Sequence, residues 1–295
     1  MKIKTELSTV WFQTIAYAVT AFFAIFCLIP FWLIVSGSFT SEHEIMSEGF
    51  KIWPKDISFE AFRVVFSSPD QIVSAYSVTI GLTVIGTVVG LFITSMAGYV
   101  LARPDFTYRN PIAFFIYFTT LFSGGLIPWY ILIVKYLDLK DNYLAILVPL
   151  LLSAWNIILM KNFMKSIPES IIESSRIDGA GDFKIYAQII VPLSTPGLAT
   201  IGLFLALNYW NDWFHANIFM TTESKFPLQY LLYKILASAA VLKTGAANNF
   251  SANITPPTET LKMAVAVIAT GPIIFLYPFV QKYFVQGLTV GAVKG

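Results

Sequence analysis

Charged residues are scarce in this sequence. Asp, Glu, Lys and Arg make up 12% of its 295 residues, whereas hydrophobic residues make up 56%. A soluble domain carries about 25% charged residues, so this chain cannot cover a surface that faces water. The mean hydropathy of +0.69 therefore predicts a polytopic membrane protein. The net charge of +2, with no basic stripe, argues against a nucleic-acid partner.

Cysteine is almost absent as well. The single Cys27 cannot form an internal disulfide, so cysteine usage does not indicate a compartment. We interpret Cys27 as a small apolar group in a helix. The basic start MKIKTEL leads into an apolar run without a small-residue cleavage site. This pattern indicates a membrane anchor that is retained, not a signal peptide that is removed.

Six apolar segments are long enough to cross a hydrocarbon core about 30 Å thick, which takes roughly 20 helical residues. They predict an all-α fold with a single transmembrane domain over 1–295 and spans near 14–39, 72–101, 111–134, 143–160, 193–211 and 263–281. Ser123-Gly124-Gly125 and Pro128 interrupt the third span, which predicts a kink or local unwinding there. Lys and Arg divide almost equally between the two sides. Only Arg103 and Arg109, in the short link 102–110, favour cytoplasmic termini.

Charge is missing from the interior of all six segments, which counts against a proton-coupled carrier or a charged pore. Sodium coupling through backbone carbonyls and hydroxyls stays possible. The chain also has no G-x-x-x-x-G-K-[ST] phosphate loop, so we predict that it hydrolyses no ATP and catalyses no reaction. We assign no cofactor to it, and no metal to the widely separated His43 and His215. Energy for active transport would enter through a partner.

The loop 162–191, on the predicted inner side, has a helical pattern of its own. Ile167, Ile171, Ile172 and Ser175 form one edge, and Pro168 suits a first helical turn. Gly179 and Gly181 then break the run. Asp182 can cap a second helix with its own apolar face. These features predict two short helices joined by a glycine turn. A plain amphipathic linker is the alternative.

The outer loops are also patterned. The segment 58–66 predicts a short amphipathic helix with Phe59, Phe62, Val65 and Phe66 on one face. The segment 216–261 is predicted to be a long loop, because Gly, Asn and Pro are frequent in its second half.

The inner loop resembles the EAA loop of ABC importer permeases, in which Glu-Ala-Ala, three residues, Gly, nine residues, Ile, one residue and Leu-Pro follow one another. Here Glu173-Ser174-Ser175, Gly179, Ile189 and Val191-Pro192 stand at the same spacing. The two serines and Val191 depart from the family pattern but conserve size or apolar character.

Other segments resemble the carbohydrate branch of that family. The run 176–180 is similar to its R-I-D-G-A motif, and 209–212 to its Trp-Asn signature. The tail 287–295 resembles that of the second maltose-type permease. The stretch 122–128 resembles a subgroup for complex oligosaccharides, known as LplC- or YtcP-like. The resemblance covers roughly 58–295.

The resemblance implies a type I ABC importer permease fold, with six transmembrane helices and cytoplasmic coupling helices. Its loop would fit a cleft of a cytoplasmic ATPase, which would bind ATP and Mg. The implied partners are a second homologous permease, two ATPase copies, an external solute-binding protein and an oligosaccharide. The implied location is the bacterial cell membrane, with both termini cytoplasmic. The implied coupling residues are Glu173, Ser174, Ser175, Arg176, Asp178, Gly179 and Ala180.

Amides and aromatic rings near the outer end of the fifth span suggest a sugar pathway, because sugars are recognised through hydrogen bonds and ring stacking. An interfacial aromatic belt with a polar helix end fits the same cluster. Trp155 and Asn156 form a second cluster, for which helix packing is the alternative, and unwound backbone at Ser123 could line the pathway. The candidate pathway residues are Asn208, Trp210, Asn211, Asp212, Trp155, Asn156 and Ser123.

Two rival functions remain at this stage. An ion-gradient-driven carrier would move solute without an ATPase, and a membrane scaffold would move none. The outer loop 245–253 aligns roughly with a loop that probes the binding protein in maltose-type permeases, but this sequence carries no firm motif there.

Overall fold

The structure, a computed structural model, describes residues 7–248 and 258–292, and most of these residues are helical. Within these ranges the only β pairing is an isolated bridge between Thr40 and Ile57. The predicted all-α class is therefore confirmed for the described part of the chain.

The first eight helices are α1 (Leu7–Ser38), α2 (Glu42–Glu48), α3 (Glu60–Val65), α4 (Pro69–Ala102), α5 (Arg109–Phe118), α6 (Leu126–Ile131), α7 (Leu144–Leu151) and α8 (Ala154–Lys165). The remaining ones are α9 (Glu169–Ile177), α10 (Asp182–Ile185), α11 (Val191–Leu193), α12 (Thr195–Trp210), α13 (Phe214–Phe219), α14 (Leu228–Asn248) and α15 (Glu259–Ala292). Turns of π-helix extend α6 over Leu132–Tyr136 and α10 over Tyr186–Ile190, and a 3₁₀ turn covers Glu223–Lys225.

By length and composition, two helical stretches could cross a membrane unaided, Trp11–Ser38 and Pro69–Ala102. Two bent pairs raise the number to four among the described residues. Leu144–Leu151 meets Ala154–Lys165 at 43°, and Asp182–Leu193 meets Thr195–Phe219 at 83°. The predicted third span is divided between α5 and α6, with non-helical backbone at 122–125, as the glycines and proline predict. The full count of six spans stays a prediction, and so does the single domain.

The chain forms two compact units, residues 1–68 with 234–271 and residues 69–233 with 272–295. In the first unit, buried Glu44 accepts hydrogen bonds from the backbone N–H groups of Lys55 and Asp56 at 3.0–3.2 Å. Glu42 accepts hydrogen bonds from the N–H groups at the start of α15, from Glu259 at 3.0 Å and Thr260 at 2.9 Å. Burial would raise the pKa of Glu42, but these hydrogen bonds outweigh it and lower that pKa.

The short helix predicted at 58–66 is present as α3, Glu60–Val65. Val65 is buried and Phe62 stacks on Phe39 at 4.9 Å. Phe59 and Phe66 are 55% and 47% exposed. Phe59 and Phe66 are the N-cap and C-cap of α3, and the prediction that the four side chains share one helical face stays a prediction.

In the second unit, α4 packs against both α8 and α12. The helices approach closely at Gly86, where an added Cβ would lie 2.3 Å from the ring of Tyr209. Tyr209 is buried and donates a hydrogen bond to the carbonyl of Leu147 at 2.8 Å. Glycine at position 86 therefore permits the packing of α4 on α12.

The predicted loop 216–261 is partly helical, which corrects the interpretation from composition. It contains most of α13 and all of α14, whose first turns Leu228–Val241 are apolar. The loop composition was concentrated beyond this stretch. The candidate probing loop 245–253 lies mostly outside the described residues, as does the end of the tail 287–295.

Candidate functional site

The segment that resembles the EAA loop folds as a helix, a tight turn and a second helix. α9 ends at Ile177 and α10 begins at Asp182. Between them Gly179 has a φ of +79°, a left-handed conformation that costs a residue with a Cβ roughly 1–2 kcal/mol. The predicted pair of helices with a glycine turn is confirmed. Pro168, however, is the N-cap of α9 rather than a helical residue.

Most of the predicted coupling residues lie on an exposed face of this segment. Glu173, Ser174, Arg176, Asp178 and Gly179 are exposed, whereas Ser175 and Ala180 are half-buried. The hydroxyls of Ser174 and Ser175 both donate to the carbonyl of Ile171, at 3.1 and 2.6 Å. These serines therefore make hydrogen bonds inside their own helix.

Two large apolar side chains lie on the exposed side of the segment. Ile177 is 86% exposed and Phe183 is 66% exposed, one on each side of the glycine turn. Their exposure outside the predicted spans indicates a surface that a partner protein would cover.

The opposite face of the segment is firmly packed. Ile185, Tyr186 and Ile190 are buried in a cluster with side chains from α4, α8 and α12, namely Tyr99, Met160, Met164, Ile201 and Leu205. The hydroxyl of Tyr186 lies 2.6 Å from that of Ser95 on α4. A displacement of α10 therefore cannot occur without displacing the helices around it.

An ionic cluster also ties the segment to the end of α4. Arg103, whose side chain is 13% exposed, donates to both carboxylate oxygens of Asp105 at 2.8 and 2.5 Å. It also donates to Asp182 at 2.5 Å, and Arg176 donates to Asp105 at 2.7 Å. Burial alone would lower the pKa of Arg103, but the hydrogen bonds to Asp182 and Asp105 outweigh it and raise that pKa.

This cluster corrects the role predicted for Asp182. Gly181 is the N-cap of α10, and no side chain caps that helix. Asp182 lies in the first turn and its carboxylate pairs with Arg103 instead. The cluster was not predicted, because Arg103 and Asp182 are 79 residues apart in the sequence.

Two clefts lie at the far end of α12. The first, of about 340 Å³, is lined by Leu150, Leu207, Asn208, Asn211, Asp212, Trp213 and Phe214. The second, of about 570 Å³, is lined by Ser123, Gly124, Gly125, Leu126, Pro128, Trp129, Leu132 and Phe214. Phe214 lines both clefts, so they are neighbours. Neither lining contains Lys or Arg.

Asp212 is buried in the lining of the first cleft, and only one of its two carboxylate oxygens makes a hydrogen bond within the described residues. Its Oδ1 lies 2.6 Å from Nδ1 of His215, whereas its Oδ2 has no hydrogen-bond partner within the described residues. The ring of Trp129 meets the His215 ring edge-on at 5.2 Å. Sequence reasoning treated His215 as an isolated residue. The Asp-x-x-His spacing was the signal that could have found this pair.

The other candidate pathway residues are scattered. Trp210 is only 8% exposed, packs near Tyr76 and does not line either cleft. Asn156 is buried in α8, and Trp155 is 68% exposed without lining either cleft. The structure thus places Asn208, Asn211 and Asp212 on the first cleft and Ser123 on the second.

An ion pair between Asp141 and Lys225 lies in the second unit. Asp141 accepts hydrogen bonds from the N–H groups of Thr221 and Thr222 and from the ammonium of Lys225, at 2.8–3.0 Å. The pKa of Asp141 lies well below its ordinary value. The main cause is the hydrogen bond from Lys225, and the hydrogen bonds from the two N–H groups add to it. This ion pair and its hydrogen bonds join the loop before α7 to the loop after α13.

Comparison with known proteins places this geometry in context. Residues 125–290 match the family described as binding-protein-dependent transport system inner membrane component. The polygalacturonan/rhamnogalacturonan transport system permease protein YtcP of Bacillus subtilis is 40% identical over 96% of this chain and 98% of its own length. Protein LplC of the same organism is 40% identical over 91% of this chain and 90% of its own length.

A solved structure has a similar fold. It is a bacterial ABC transporter involved in the import of the acidic polysaccharide alginate. One of its chains superposes with a TM-score of 0.76 at 34% identity, covering 95% of this chain and 99% of that one.

Proposed function

The chain belongs to the family of binding-protein-dependent transport system inner membrane components, and from that premise we propose that it forms half of an oligosaccharide pathway driven through its loop 162–191. It is an ABC importer permease of the type I fold. The observation that carries the proposal is the two-faced segment α9–α10. One face is exposed with Ile177 and Phe183, and the other is packed on the helices that lead to the clefts.

The exposed face of the segment is the docking surface for a cytoplasmic ATPase. Glu173 makes a polar contact with that ATPase, and Gly179 permits the turn that presents both helices. Ser174, Ser175, Arg176, Asp178 and Ala180 complete the surface. ATP and Mg bind to the ATPase, and this chain supplies no cofactor site. Closure of the ATPase pair pushes the segment, and the packed helices convert the push into a change of access.

The chain lies in the bacterial cytoplasmic membrane with both termini in the cytoplasm. The two arginines of the link 102–110 support this orientation, because basic residues are retained on the cytoplasmic side. The same orientation puts α9 and α10 beside the ATPase and the two clefts near the outer surface. A second, homologous permease completes the pathway, and an external solute-binding protein delivers the substrate.

The substrate class is an oligosaccharide. Two 40%-identical relatives cover nearly the whole chain, and the name of one refers to polygalacturonan and rhamnogalacturonan. The clefts offer amide groups from Asn208 and Asn211 and rings from Trp213 and Phe214. This is the combination that recognises sugar hydroxyls and sugar faces. Asn156 and Trp210, both buried, would support helix packing along the pathway rather than touch the sugar, and Trp155 is exposed outside both clefts.

Gly179→Pro in the assembled transporter tests the coupling role. Proline fixes φ near −65° and cannot adopt the +79° of Gly179. We expect normal membrane insertion, continued ATP hydrolysis and loss of uptake. Gly181→Pro is the matched control, because Gly181 already has a φ of −74°. Normal uptake by the Gly179 variant would overturn the coupling role.

Glu173→Lys tests the polar contact with the ATPase in the same assay, and uptake should fall while the complex still inserts. Reconstitution of this chain alone separates the proposal from an ion-driven carrier. Solute flux in vesicles without any ATPase would favour the carrier, whereas no flux until all subunits are present supports the importer.

A further inference from the structure

A further cavity lies at the opposite end of α4 from the two clefts, and the proposed transport function does not account for it. Its volume is about 630 Å³, within the range of ligand pockets. The end of α4, the link 103–110, the end of α8 and the start of α9 form its walls. Its lining includes the cations Arg103, Arg109, Lys161 and Lys165 and one acid, Glu169.

Three of the four cations have no acidic partner within the part of the chain that the structure describes. Arg103 is held by Asp105 and Asp182. No carboxylate among the described residues lies within 4 Å of the charged groups of Arg109, Lys161 or Lys165, so Glu169 in the same lining neutralises none of them directly. Arg109 donates one hydrogen bond, to the carbonyl of Arg103 at 3.3 Å. A concave wall with unpaired positive charge attracts an anion.

Most of the remaining lining is apolar, apart from the polar groups of Tyr99, Asn110 and Ser166. Leu101, Met164, Ile167, Ile172 and Ile190 contribute to the wall beside the cations. A small soluble anion would make no favourable contact with these apolar side chains. A ligand with a charged group joined to hydrocarbon matches both halves of the cavity.

The position along α4 points to the source of such a ligand. α4 is an apolar helix of 34 residues that ends at Ala102, and the first cation of the cavity follows directly at Arg103. The cavity therefore opens where the hydrocarbon core gives way to the headgroup region. Basic pockets between helices on the cytoplasmic side bind lipid headgroups.

We propose that this cavity binds the phosphate-bearing headgroup of an anionic membrane phospholipid, with Arg109, Lys161 and Lys165 as the anion contacts. The inference rests on the cytoplasmic orientation given under the proposed function. The glycerol and upper acyl carbons pack on Met164 and Ile172. Because Ile172 belongs to α9, the lipid braces the coupling segment against the membrane.

Native mass spectrometry of the transporter in nanodiscs tests the site with phosphatidylglycerol and phosphatidylcholine as probes. We expect the wild type to retain phosphatidylglycerol in preference to phosphatidylcholine. Lys161→Gln/Lys165→Gln should lower that retention about thirtyfold, since each surface charge contributes about fivefold. Lys140→Gln/Lys184→Gln is the control, because both lysines are exposed, lie outside the cavity and give the same net charge. Arg109→Gln should act in the same direction as the cavity variant.

Equal retention by the cavity and control variants would overturn the proposal. Displacement of the lipid by millimolar inorganic phosphate would overturn it too, because the ligand would then be a soluble anion. Uptake and ATP hydrolysis, measured in the same nanodiscs, keep the two proposals apart. A transporter that couples normally yet retains no anionic lipid refutes only the lipid site. Lipid retention without ATP-driven uptake refutes only the proposed function.

Discussion

The ionic cluster around Arg103 makes a quantitative prediction about coupling. Arg103→Gln removes a two-pronged contact with Asp105 and a single contact with Asp182, whose side chains are 48% and 68% exposed. Exposed ion pairs contribute roughly 0.2–1 kcal/mol each, and two-pronged arginine pairs stand at the upper end. Only the contact with Asp182 joins α10 to the end of α4, so its loss of roughly 0.2–1 kcal/mol corresponds to a change of about 1.4- to fivefold in the docked-to-undocked ratio of α10.

The assay is uptake per ATP hydrolysed by the assembled transporter in proteoliposomes. We expect the ratio to fall in the Arg103 variant while ATP hydrolysis continues, because one of the contacts that tie α10 to the end of α4 is then lost. Lys135→Gln is the control, since Lys135 is exposed, lies outside the segment α9–α10 and takes part in no ion pair among the described residues. An unchanged ratio would refute the reasoning.

A double-mutant cycle shows whether the effect passes through the contact itself. Arg103→Gln and Asp182→Asn are made singly and together. If the 2.5 Å contact carries the effect, the double variant should lose less than the sum of the two single losses. Strict additivity would mean that Arg103 acts through something other than Asp182.

Three further outcomes are expected. Gly86→Ala should lower the free energy of unfolding in detergent by about 1–3 kcal/mol, because its Cβ would lie 2.3 Å from the ring of Tyr209, whereas Gly81→Ala meets nothing within 4 Å and should not. The lowered pKa of Asp141 predicts thermal stability that is complete above the ordinary value of 3.8 and is lost as pH falls through the lower folded-state value, a loss absent from Asp141→Asn. Asn211→Ala should raise the substrate concentration needed for half-maximal uptake without reducing subunit assembly, and unchanged uptake kinetics would remove Asn211 from the site.

The helix–turn–helix structure of the segment α9–α10 could be predicted because its signals are local in the sequence. Isoleucines at helical spacing gave the apolar edge of α9, and Gly179 gave the turn before α10. The broken third span was predictable for the same reason, since consecutive glycines before Pro128 disfavour a continuous helix.

Contacts between distant parts of the chain could not be predicted in this way. No pattern in one sequence pairs Arg103 with Asp182, or Asp141 with Lys225, because each pair is brought together only by folding. Helix α14 was missed for a different reason. Its apolar stretch Leu228–Val241 is shorter than a span, and the Gly, Asn and Pro residues that follow it favour a loop.

If the segment α9–α10 receives the push that the proposed function assigns to it, the packing of the second unit offers two routes from that segment to the clefts. One runs from Tyr186 through its 2.6 Å contact with Ser95 into α4, a helix about 51 Å long at 1.5 Å per residue. The other runs from buried Ile190 through the cluster that contains Ile201 and Leu205 into α12, which ends beside Asn211 and Asp212. The routes meet again where Gly86 of α4 faces the Tyr209 ring of α12. Because close-packed interiors transmit strain instead of absorbing it, the proposed function requires α4 and α12 to move together when α10 is pushed.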